Sequence, residues 1–132
     1  MTYALSPHLQ TAVFQHLANA DLGGASLHDQ PPAGTIEETY VTFGGETVTD
    51  RSDTSAQAAD HDFTLSVVSS ASGFLQAKSV AAKLSEALDG ADLTLARGQM
   101  TSLQFHRATA RRDDKDGLRR IDLRFRARVE DN

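Results

Sequence analysis

Few side chains in this sequence are spaced to do chemistry. Asp50, Asp53, Asp60 and Asp62 are hard oxygen ligands in principle, but the run lacks the glycine and terminal glutamate of a calcium loop and reads as a solvated acidic surface. His8 and His16 stand eight apart on one helical segment, with no Asp, Glu or Cys spaced to complete a metal site. Cysteine is absent, which removes disulfides and thiolate zinc sites and is compatible with a reducing cytoplasm. No serine lies in a G-x-S-x-G elbow, and neither G-x-G-x-x-G nor G-K-[ST] occurs. No enzymatic activity, metal or cofactor is therefore expected. What remains is a row of cations, Arg124, Arg126 and Arg128, at alternate positions near the C-terminal end.

The element that positions them is a strand over residues 118–129. From Ile121 onward odd positions are apolar and even ones charged, the period of a strand with one face on a core. Met100 to Arg112 is its hairpin partner, joined through the polar connection Asp113 to Gly117 with its turn-type ending. If Arg112 and Leu118 flank the loop, Phe105 faces Phe125 and Leu103 faces Ala127. On the other face Arg124 lies opposite His106, Arg126 opposite Gln104 and Arg128 opposite Ser102, so the hairpin supplies none of the three with a carboxylate. The row is then an intersubunit or DNA-channel surface, unless strands beyond the hairpin supply the acids and leave a solvated face. Arg111, Arg112 and Arg119 extend the candidate surface around the turn, and Asp50 and Asp53 are acidic candidates for contact with a basic edge.

Elsewhere Ser6-Pro7 marks a helix start, with Ser6 as N-cap and Leu9, Val13, Phe14 and Leu17 as its apolar stripe, ending before Gly23-Gly24. Residues 27–38 carry Pro31-Pro32 and Gly34 and read as an extended, exposed connection. Thr39 to Phe43 is a strand, broken at Gly44-Gly45 and resumed over Glu46 to Thr49 as a second strand or a bulged continuation. Asp50 to Asp60 is a mobile loop, expected to be disordered in the isolated subunit. His61 to Ser69 is a central strand with Phe63, Leu65 and Val67 on one face. A helix follows with Phe74, Ala77, Val80, Ala81, Leu84 and Leu88 as its stripe and Gly90 as its stop, and Leu93 to Ala96 is a further strand. The fold class is α+β: one domain over residues 1–132, a largely antiparallel β-sheet with two main helices packed on one face.

Charge is unevenly spread along the chain. Residues 1–95 hold three basic and twelve acidic side chains, and residues 96–132 hold ten and six, so net charges of -9 and +4 make up the total of -5. Such a dipole suits head-to-tail self-association, or is neutralised within the chain. The first twenty residues lack Lys and Arg and no apolar run reaches spanning length, so neither signal peptide nor membrane partner is expected. A second reading is a small nucleic-acid-binding module using the basic hairpin, weakened because the hairpin aromatics fall on the core face.

The run Phe63 to Phe74, its following helix, Leu93-Thr94-Leu95 and the closing stretch Leu118 to Arg126 resemble the small tail-terminator (tail-completion) proteins of long-tailed phages, most of all the version encoded in gene transfer agents. The resemblance takes in the early helix Leu5 to Leu17, the Pro31-Pro32 loop and Tyr40 to Phe43. It implies a structural protein that forms a homo-oligomeric, six-fold ring, caps the tail tube protein, stops its polymerisation and receives the head connector or stopper protein. Double-stranded DNA would pass through the ring. It also implies assembly in the bacterial cytoplasm, then a place in the released particle.

Overall fold

In the computed structural model, which describes residues 2–30 and 37–131, α1 (Ser6–Ala18) buries Leu9, Ala12, Val13 and Leu17 along one stripe. Two details differ from expectation. Leu5 is the N-cap and has no polar side-chain atom to make a cap bond, while the Ser6 hydroxyl donates across the structure to Glu46 at 2.7 Å. Phe14 lies off the buried stripe and is 40% exposed. β1 (Leu27–His28) pairs in parallel with the next strand, so part of the expected irregular connection is a short edge strand. The Pro31-Pro32 and Gly34 portion lies outside the described residues.

β2 (Thr39–Asp50) is a single strand with a bulge between Phe43 and Glu46, the continuation anticipated at Gly44-Gly45. β3 (Gln57–Ser69) begins four residues before the expected His61. The expected loop therefore shrinks to residues 51–56, a hydrogen-bonded hairpin turn. Asp53 accepts the Ser55 and Ala56 amides at 2.8 and 2.9 Å, and Arg51 donates its amide to the Ala58 carbonyl at 2.7 Å. Short Asp and Ser side chains close such turns as readily as they fill mobile loops, so composition alone does not separate the two.

α2 (Leu75–Leu88) buries Ala77, Val80, Ala81, Leu84 and Leu88, with Phe74 at its N-cap rather than in the stripe. Leu93 to Ala96 is not a strand. Leu93 and Leu95 are buried between exposed neighbours, so the segment has the period of a strand without a ladder partner. β4 (Gln99–Arg112) and β5 (Arg119–Asp131) complete a sheet of order β1-β2-β3-β5-β4, antiparallel except at β1. Both helices lie on one face, giving the α+β architecture expected.

Leu123 and Phe125 are buried, with Phe125 stacked on Phe63 at 5.6 Å and edge-on to Phe105 at 5.9 Å. The hairpin register needs one correction. Pairing starts at Arg112↔Arg119 and slips by one at a bulge between Phe105 and Arg107. Arg124 therefore lies opposite Arg107 instead of His106, which is the extra residue of the bulge, while the pairs of Arg126 and Arg128 stand as expected.

Candidate functional site

The face of the sheet opposite the helices carries the arginine row. β5 is central, and its other neighbour, β3, places Asp62 opposite Arg126 and Asp60 opposite Arg128. Arg126 Nε donates to Asp62 Oδ1 at 2.8 Å, and Arg128 Nη1 lies 3.5 Å from Asp60 Oδ1, which also serves Arg51 through its other oxygen at 3.0 Å. Asp62 raises the Arg126 guanidinium further above its ordinary value, through its hydrogen bond first and its charge second. The expectation of an unpartnered row thus fails for two of its three members. The reason is strand order: β3 is remote in sequence but adjacent in space, and its acids neutralise part of the charge asymmetry inside the chain.

Arg124 is different. It faces Thr64 on one side and Arg107 on the other, and among the described residues neither arginine side chain, nor that of His106 beside them, has a hydrogen bond or ion pair. These three, with Arg126, Asp62, Thr64 and Thr47, line a groove of about 480 Å³. Two cations directly opposite on a ladder repel, and a bound anion or an acidic partner surface relieves that repulsion.

The other candidates are dispersed. Arg111 Nε is 3.5 Å from Asp122 Oδ2 on the same outer face, and Arg112 is exposed at the hairpin end. Arg119 turns to the helix side, where Nη1 donates to the Ala71 carbonyl at 2.9 Å and the guanidinium carbon sits 5.4 Å from the Phe74 ring centre. It anchors the entry to α2 and does not join the row. Asp50 and Asp53 serve the β2–β3 turn: the Ser52 amide donates to Asp50 at 3.0 Å, and the Ser55 and Ala56 amides lower the Asp53 carboxyl. The structure does not bring either beside Arg124.

Sequence reading missed a buried polar cluster on the helix face. The bulge at Gly44-Gly45 turns Glu46 inward, where it accepts from Tyr3 Oη, from Ser6 Oγ at 2.7 Å and from His61 Nδ1 at 3.2 Å. Burial raises the Glu46 carboxyl, but these donors together outweigh it and hold the group below its ordinary value. His61 is fully buried and its Nε2 has no partner among the described residues. The signal was available, since His61 shares the parity of Phe63, Leu65 and Val67. Ser6 donates its hydroxyl to the carboxylate and not to the imidazole.

Residues 11–130 match the family model described as tail completion protein gp17. A solved structure described as the virion of a native gene transfer agent (GTA) particle contains a chain 48% identical to this one, with a TM-score of 0.90 and coverage of 98% of this chain and 99% of that chain. No curated protein matches. The match spans most of the sequence at high structural similarity: the chain belongs to the tail completion protein gp17 family, structural proteins of phage-type tails.

Proposed function

We propose that the chain forms a closed homo-oligomeric ring, a hexamer by family resemblance, at the end of a tail tube in a phage-like particle of the gene transfer agent type. The ring stops tube polymerisation and offers the surface that joins the tail to the head connector, with double-stranded DNA passing through it. The observation that supports a contact role is the Arg107–Arg124 pair in the groove on the bare sheet face, two like charges held together without an acid of their own. Such a pair suits an acidic subunit surface or a phosphate backbone. Among the described residues no Phe or Tyr lines the groove, which disfavours the base-stacking platform of a single-strand binder there.

The test is particle production without the chain. Tube assembly should continue to uncontrolled lengths, heads should remain unattached, and restoring the chain should return joined particles of uniform tail length. Tails of normal length bearing attached heads in its absence would refute the reading.

A further inference from the structure

We propose that, within that ring, each subunit seats its neighbour at the α2–β4 edge, and that the neighbour contributes the opposite, acidic edge of its own sheet, where β2 begins. This rests on the ring reading and specifies its interface.

From Gln104 to Arg112 every residue of β4 is exposed, and β4 is the terminal strand of the sheet. On the helix side this half of β4 leaves a groove of about 310 Å³ against α2, floored by Ala81, Ala108, Ala110 and the 39%-exposed ring of Phe105. Leu75, 84% exposed, precedes Lys78 and Ala82 by three and seven residues on α2 and so flanks the same groove. A long open edge beside exposed apolar side chains is an association surface unless something covers it.

Charge selects what covers it. The edge carries Lys78, Arg107, Arg111 and Arg112, of which only Arg111 has an ion-pair partner among the described residues. Two copies meeting through this same edge would oppose like charges, which disfavours a self-complementary dimer. The far edge has the opposite sign. The ladder runs straight across the sheet, Thr39↔Ser69↔Arg119↔Arg112, so Arg112 and Thr39 sit at the same height on opposite sides. Glu38, immediately before Thr39, is exposed and its carboxylate has no partner among the described residues, whereas Glu37 beside it is held by His28 at 3.0 Å and by the Ser26 amide at 3.1 Å. Copies set side by side at one height therefore bring Arg112 of one toward Glu38 of the next. The contact is heterologous, the kind that closes a ring when repeated by rotation.

The chain has no cysteine, so single thiols can be placed without background. Chains carrying Glu38→Cys, Arg112→Cys or both are assembled into particles and treated with a short bismaleimide. Each single variant should remain monomeric on a denaturing gel, and the double variant should give a ladder ending at a closed-ring species. A cross-linked dimer from Arg112→Cys alone would overturn the proposal in favour of a self-complementary contact. Monomers from the double variant, with capped tails still visible by electron microscopy, would overturn the interface and leave the ring intact, whereas uncapped tails with wild-type chain would strike the ring itself. Charge exchange is the second measurement. Arg112→Glu and Glu38→Arg should each lower the yield of complete particles by at least ~10-fold, and the two together should restore it, because opposed like charges are costly and the exchanged pair is not. Failure of the pair to rescue would also overturn the assignment.

Discussion

Truncation of Phe125 tests the strand assignment on which the arginine row depends. Phe125 is fully buried at the centre of β5, stacked on Phe63 and edge-on to Phe105. Phe125→Ala removes a ring from a packed site and should destabilise by ~3–5 kcal/mol. The lower part of that range is expected, because Phe105 is 39% exposed and free to lean into the space. The ring pairs should contribute ~0.5–1.5 kcal/mol each within that total, so a Phe63→Ala, Phe125→Ala double-mutant cycle should show coupling of that size. The assay is urea unfolding followed by circular dichroism, with the midpoint falling at constant slope. At ~3–5 °C per kcal/mol for a domain of this length, melting should drop by ~10–20 °C. A loss below about 1 kcal/mol would refute the reasoning, since a register slipped by one residue would put Phe125 in solvent and the arginines in the core.

Charge reversal separates two arginines that the sequence treats alike. Arg126→Glu should lower the thermal midpoint of the isolated subunit, because it sets a carboxylate against Asp62 at a 2.8 Å contact. Arg124→Glu should leave that midpoint unchanged or raised, because it turns the Arg107 repulsion into attraction, while reducing the yield of complete particles. Normal particles from Arg124→Glu would return the groove to the status of a solvated face. Gly98→Ala should cost at least ~1–3 kcal/mol by chemical denaturation, because Gly98 has φ +69° and a Cβ there would lie 2.5 Å from the Glu130 carbonyl oxygen. The Glu46 carboxyl is held below its unfolded value, so its contribution is present above the ordinary carboxylate range and is lost as pH falls through the folded value. Glu46→Gln should therefore flatten the acid limb of stability against pH below the ordinary carboxylate value, and an unchanged limb would contradict the role given to the cluster.

Periodicity along the chain was sufficient for what depends on local steric rules. Alternation over Ile121 to Val129 orients β5, the stripe from Ala77 to Leu88 places α2 on the sheet, and Gly44-Gly45 marks the β2 bulge, because strand and helix periods are properties of the backbone itself. Strand order is another matter. That β5 lies between β3 and β4 is set by long-range pairing, and it alone supplies Asp62 and Asp60 to Arg126 and Arg128 and leaves Arg124 with Arg107. The Leu93–Ala96 segment shows the same limit, since its alternation encodes which side chains are buried but not whether a ladder partner is present. So does the bulge at His106, where one extra residue changes the facing pair without any signal in composition. Burial leaves its mark on each residue in turn, whereas the partner of a charged side chain is chosen by strands brought together from distant parts of the chain, and only the folded sheet decides which those are.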